Sequence, residues 1–156
     1  MTTVDFGQGL RKYGNVPMLS GFLPPQWYSI YEYDNECPLG LNCFHDLEEG
    51  IAFAKENNKP ILIDFTGYAC VNCRKMEEHV WPKDEIFSII NEEYVLVSLY
   101  VDDKEALRLE EQYISATTGQ KVRTIGNKWS DLQSSQFGTN AQPYYVLIAP
   151  DGKVLN

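Results

Sequence analysis

Positive charge is scarce in this 156-residue chain: 13 Lys and Arg stand against 22 Asp and Glu, for a formal net charge of −9 and a sequence pI near 4.6. The basic residues lie singly or in pairs such as Arg11-Lys12 and Arg74-Lys75. Without clustered cations to hold phosphates, nucleic acid is not an expected partner. The same sign argues against an anionic membrane surface. Long apolar runs are missing as well. The longest, around Ile61 to Phe65 and Tyr94 to Val101, fall far short of the ~20 residues that cross a bilayer, so this chain is not expected to insert. Met1 to Leu10 lacks the charged start and apolar stretch of a secretory signal, which places any export signal or anchor outside the sequence. No internal repeat or low-complexity tract is visible. What is present, 44% hydrophobic, 13% aromatic and 22% charged residues, is the composition of an ordinary globular domain and excludes disorder, collagen or coiled coil as overall descriptions.

Two regions are expected. Residues 1–45 hold four of the eight prolines and eight of the twenty aromatics (Phe6, Tyr13, Phe22, Trp27, Tyr28, Tyr31, Tyr33, Phe44), with no sustained periodicity. They read as an irregular arm, either laid with its rings on the domain or serving as a linker to something upstream. Residues 46–156 carry regular signals. Leu47, Ile51, Phe53 and Ala54 have helical spacing, closed by Asn57-Asn58 and Pro60. Pro60 to Thr66 is a short β-rich run ending at Gly67 and reads as a buried strand. A helix is expected from Cys70 to about Val80, ended by Pro82. Another is expected with Asp84 as N-cap and Ile86, Phe87, Ile89 and Ile90 as its apolar stripe. Tyr94 to Val101 is the second buried strand, and strand, helix, strand implies a parallel pair with a right-handed crossover. Lys104 to Ile114 and Lys128 to Phe137 read as helices, the latter capped by Gly138. Tyr144 to Ala149 followed by Pro150-Asp151-Gly152 reads as a hairpin.

Cys70-Val71-Asn72-Cys73 falls where a buried strand turns into a helix. There the unpaired N–H groups and the helix dipole favour a thiolate on the first cysteine, which makes Cys70 the attacking group. Cys73, one turn on, is placed as the resolving thiol, and the chemistry is thiol-disulfide exchange. Two other readings stay open. The pair could join Cys37, Cys43, His45 or His79 in a tetrahedral zinc site, or it could form a purely structural disulfide. Cys37 and Cys43 read first as a structural disulfide, then as free thiols, then as a second redox pair or metal site. Both histidines read as solvated or local capping groups.

The run from Ile63 to Glu77 (IDFTGYACVNCRKME) resembles the active-site segment of thioredoxin-fold proteins. It is most similar to the C-terminal domain of DsbD-type thiol:disulfide interchange proteins. The resemblance spans roughly Leu47 to Lys153 and includes Tyr100-Val101-Asp102 and Gln142-Pro143-Tyr144. It implies a thioredoxin-like α/β fold, a central mixed β-sheet flanked by helices, with the arm as an N-terminal extension. It also implies a cis Pro143 facing the cysteines, a buried acid at Asp64 that modulates the thiols, and an acidic neighbour at Glu77. Ala69 stands where thioredoxins usually have Trp, and Val71-Asn72 replaces their Gly-Pro. Family members continue past the hairpin into a last helix, whereas this chain ends at Asn156.

The function so implied is a protein-disulfide reductase of the bacterial envelope. It would take electrons from a membrane-embedded donor and pass them to exported proteins, including those of cytochrome c maturation. Electrons would travel as dithiol and disulfide, with no bound cofactor and no metal. A free-standing thioredoxin or isomerase-like envelope protein is the alternative. A non-catalytic binding module with structural or zinc-bound cysteines is the alternative of another class.

Overall fold

The computed structural model describes residues 37–156. The rings expected in the arm, from Phe6 to Tyr33, lie outside the described residues. The arm's last segment is part of the domain. Cys37 and Leu41 are buried, and the short strand β1 (Cys43–Phe44) pairs parallel with Leu96 and Val97 of β3 (Val95–Tyr100).

Helix α1 (Leu47–Asn57) begins where the sequence places it, because the Asp46 carboxylate accepts hydrogen bonds from the N–H groups of Glu48 (2.8 Å) and Glu49 (3.2 Å). It ends at Asn58, which adopts the left-handed conformation that an Asn side chain tolerates, with φ 49°. Asp46→Ala should lower stability by about 1 kcal/mol, read as a reduced urea midpoint at unchanged slope.

Strand β2 (Ile61–Thr66) is buried along its whole length. It pairs parallel with β3 (Val95–Tyr100) and antiparallel with β6 (Tyr144–Ile148), so the mixed sheet runs β1-β3-β2-β6. Alternation along the strands divides the core. Ile61, Ile63, Phe65, Val95, Val97, Leu99 and Val146 pack with Ala54 of α1 and Trp129 of α4 (Ile125–Phe137). On the opposite face Leu62 and Leu96 meet Cys37, Leu41, Trp81 and Ile90. That second face turns polar toward the C-terminal ends of the strands, where Asp64, Thr66, Ser98 and Tyr100 follow in register and are all buried.

Several local expectations are corrected. Lys104 to Ile114 is not a helix. Its backbone pairs instead with residues 121–125, through the Ala106–Thr124 bridge, Leu107 N–H to Arg123 O (2.9 Å), Ile125 N–H to Glu105 O (2.9 Å), and the two-stranded ladder of β4 (Tyr113–Ile114) with β5 (Lys121–Val122). Only a 3-10 turn, Leu109–Glu111, remains. The apolar residues that suggested a helix have no core to face, since Leu109 is 85% and Ile114 63% exposed. α4 begins at Ile125, ahead of the expected Lys128, because the Thr124 hydroxyl caps it by accepting Asn127 N–H at 3.1 Å. Asp84 is the first residue of α3 (Asp84–Ser88), with Lys83 in the cap position. A π turn, Ile89–Glu93, follows α3 and shifts the phase of the stripe, leaving Ile89 exposed while Ile90 is buried. Phe53 lies against the Phe44 ring at the surface, 45% exposed, and is not in the core. The final hairpin forms as a turn, with Ala149 N–H to Lys153 O (2.8 Å) and the bridge Ile148–Val154. Gly152, at φ 88°, supplies the positive φ that turn requires.

Candidate active site

From the buried end of β2 the chain passes through Gly67, Tyr68 and Ala69 to α2 (Val71–His79), with Cys70 as its N-cap. Cys70 and Cys73 form a disulfide with Cα atoms 5.3 Å apart, and Cys70 Sγ accepts the Cys73 N–H at 3.1 Å. The two sulfurs are not equivalent. Cys70 is half-buried at the rim, while Cys73 is 1% exposed. A nucleophile or partner sulfur can therefore reach Cys70 and not Cys73. Tyr68 and Val71, 37% and 39% exposed, form an apolar rim beside Cys70.

The turn leading to Cys70 is held by a residue whose role the sequence did not reveal. Asp102, just beyond β3, accepts the Tyr68 N–H at Oδ1 (2.9 Å) and the Ala69 N–H at Oδ2 (3.0 Å). Gly67 lets this carboxylate approach, since a Cβ there would sit 3.1 Å from Asp102 Oδ2. Tyr68 also stacks on Tyr100, with ring centroids 4.2 Å apart. Asp102→Ala leaves the Tyr68 and Ala69 N–H donors without their acceptor and should cost about 1–2 kcal/mol of stability in urea titration of the oxidised protein.

Beneath α2 lies a buried ionic cluster. Glu77 occurs one turn below Cys73 on the same helix face, and Asp64 comes up from β2. Arg74, 2% exposed, pairs with Glu77 at 2.6 Å and donates to Thr66 Oγ1 (3.3 Å) and the Gly67 carbonyl (3.4 Å). Burial pushes Asp64 up to about 7 and Glu77 up to about 8, and the Arg74 guanidinium offsets only part of this. One cation cannot neutralise two desolvated carboxylates, so the cluster holds a proton into the neutral range. Asp64 Oδ1 and Ser98 Oγ are buried in this layer without a hydrogen-bond partner. Burial also raises the Tyr100 and Tyr145 phenols.

The Gln142–Pro143 peptide bond is cis. Pro143 immediately precedes Tyr144, which pairs with Phe65, and this puts it at the sheet end from which the cysteine turn departs. Gln133 of α4, fully buried, fixes the approach to it. Its Nε2 donates to the Ala141 carbonyl (2.8 Å), and its Oε1 accepts from Gln142 Nε2 (2.9 Å). A glutamine inside a polar stretch reads in sequence as a solvated residue, and nothing in the pattern signals this clamp.

His79 lies in the last turn of α2. His45 is not simply solvated, since its ring bonds the Ser98 carbonyl and packs near Tyr100. Cys37 and Cys43 form a second disulfide, with Cα atoms 6.0 Å apart. Among the described residues the group with metal-ligand spacing is Cys37, Cys43 and His45, and it does not include Cys70 or Cys73.

A mixed sheet flanked by helices, a C-x-x-C disulfide at a helix N-terminus and a cis-proline at the same sheet end define a disulfide-bearing α/β domain. The chain belongs to the thioredoxin-like domain family, whose model matches residues 47–156. Among solved structures it is similar to one described as DsbH oxidoreductase, at 19% identity and TM-score 0.50, covering 82% of this chain and 81% of that one. It is also similar to a disulphide isomerase from Xylella fastidiosa Temecula1, at 18% identity and TM-score 0.45, covering 74% and 79%. No curated protein matches. Among the described residues no helix is long and apolar enough to cross a membrane.

Proposed function

We propose that the protein is a thiol-disulfide oxidoreductase that works through Cys70 and Cys73. The observation that carries this reading is the asymmetric disulfide at the start of α2, with an accessible sulfur at the N-cap and its partner buried one turn below. In the reduced protein the N-cap position surrounds Cys70 Sγ with the donors and dipole that favour a thiolate. The Cys70 thiolate attacks a partner's disulfide, one partner sulfur leaves as thiolate, and a mixed disulfide forms. Cys73 then gives up its proton, attacks Cys70 Sγ and releases the second partner thiolate. Two electrons pass to the partner, and the Cys70–Cys73 disulfide closes. The buried Asp64, Arg74 and Glu77 cluster beneath α2 is the proton store we assign to Cys73, and the backbone before Tyr144, at the sheet end where the cysteine turn departs, offers an edge to an extended partner segment.

The physiological direction we propose is delivery of reductant to exported proteins in the periplasm, as in DsbD-type proteins, including the apoproteins of cytochrome c maturation. Electrons would come from a membrane-embedded donor, and no organic cofactor or metal would take part. Supporting this are the likeness of the Ile63–Glu77 segment and a second disulfide at Cys37–Cys43, which suits an oxidising compartment. The test is equilibration across a graded dithiothreitol series, followed by alkylation and counting of labels by intact mass. A reversible two-thiol transition assigned to Cys70 and Cys73, near −270 mV or somewhat above, supports a reductant-delivering domain. A markedly more oxidising value turns the reading toward an oxidase or isomerase. Absence of any transition at this pair sinks it.

A further inference from the structure

The second disulfide sits in a setting that a simple staple does not require. Cys43 and His45 are two residues apart at β1, and both line a pocket of about 460 Å³ together with Asp46, Glu49, Glu111 and Lys128. Cys37, bonded to Cys43, is fully buried. The Ser98 carbonyl accepts from His45 Nδ1 at 3.2 Å, so Nδ1 carries a proton, and in the neutral ring Nε2 holds the lone pair. That lone pair is directed at Cys43 Sγ, 3.8 Å away. A neutral imidazole whose far nitrogen is tied to a backbone carbonyl is the arrangement found in metal-ligating histidines. Around a tetrahedral zinc ion, bond lengths of about 2.3 Å to sulfur and about 2.05 Å to nitrogen put the two ligand atoms about 3.6 Å apart. Cys37 Sγ, Cys43 Sγ and the His45 nitrogen all lie within 4.8 Å of one another.

We infer that Cys37, Cys43 and His45 form a redox-gated site for a thiophilic d10 metal ion such as Zn²⁺, open when their disulfide is reduced and closed when it reforms. A dithiol supplies two electrons to the Cys37–Cys43 bond and itself becomes a disulfide. The two thiols then lose their protons to solvent as the ion binds. Two thiolates and one imidazole make three ligands, and the pocket side leaves the fourth position to water. Binding and disulfide formation use the same two sulfurs and are therefore mutually exclusive. The site does not depend on the exchange chemistry at Cys70.

The test uses the full chain carrying Cys70→Ser and Cys73→Ser, so that only Cys37 and Cys43 remain as thiols. After reduction and removal of the reductant, Co²⁺ is added as the spectroscopic probe. Expected is saturation at one equivalent, with thiolate-to-cobalt charge-transfer absorption and tetrahedral visible bands that Zn²⁺ abolishes by displacement. His45→Gln, which keeps a donor for the Ser98 carbonyl but lacks the ring, should weaken Co²⁺ binding at least about tenfold. Cys43→Ser should remove the charge-transfer band while far-UV circular dichroism remains that of the parent. The oxidised protein should not bind. Absence of the charge-transfer band, equal binding by His45→Gln, or unfolding on reduction that Co²⁺ does not reverse would each overturn the inference and leave the pair as a structural staple.

Discussion

Cys70→Ser is expected to lower disulfide reductase turnover at least about a thousandfold, and Cys73→Ser to convert the protein into one that attacks once and stays attached. The two outcomes differ because the two sulfurs are placed differently. Of the pair, Cys70 alone is open to a partner, so without it no mixed disulfide forms at this site. Cys73 is 1% exposed and accompanies Cys70 one helical turn away, so without it the mixed disulfide forms and has no internal sulfur to release it. Insulin reduction with dithiothreitol measures turnover, and non-reducing intact mass after mixing with a peptide disulfide measures trapping. A Cys73→Ser protein that accumulates no adduct, or a Cys70→Ser protein that keeps near-normal turnover, would remove the assignment of nucleophile and resolving thiol.

The buried carboxylates give the second large effect, on stability against pH. Asp64 titrates near its ordinary value of 3.8 when unfolded and about 7 when folded, the rise coming from desolvation first and being offset in part by Arg74. Glu77 moves the same way, from 4.5 to about 8. Between those limits the folded protein binds more protons than the unfolded one, so stability falls as pH rises. The stability is fully present below about pH 4 and is lost as pH passes through 7 to 8. Asp64 alone should account for a loss of about 2–4 kcal/mol for the oxidised protein. Asp64→Asn, which keeps the shape and removes the titration, should flatten the curve and be more stable than the parent by a similar amount at pH 8. Urea titrations at pH 5 and pH 8 decide the matter. A parent whose stability is flat or rises over that interval, with no gain from Asp64→Asn, would show that the cluster keeps no proton.

Much of this architecture is legible in the sequence because the relevant signals are local. Ile61 to Thr66 and Val95 to Tyr100 are short β-rich apolar runs with turn residues at their borders, and burial on both sheet faces demands that composition. Asp46 at the start of α1 and Gly138 at the end of α4 are caps whose chemistry acts within a few residues. The C-x-x-C at a strand-to-helix junction is local in the same sense, and the resemblance carried by Ile63–Glu77 and Gln142–Tyr144 added Asp64, Glu77 and Pro143. The segment from Lys104 to Ile114 misled for the converse reason. Its apolar spacing fits a helix, while its backbone partners lie at residues 121–125, and no property of the segment itself announces them.

Composition, patterning and the placement of two cysteines thus determined the class of fold, the strand-helix-strand unit and the position of the C-x-x-C pair at a helix start. Tertiary structure alone decided that Arg74, which reads as an ordinary helix surface charge, is buried between the helix and Thr66. It alone decided that Asp102 holds the turn before Cys70, that Gln133 clamps the approach to Pro143, and that His45 faces Cys43 from a carbonyl on β3. Each of these contacts joins elements distant in the chain. Their energies depend on burial and on hydrogen-bond geometry across the sheet, and neither exists until the strands are in register.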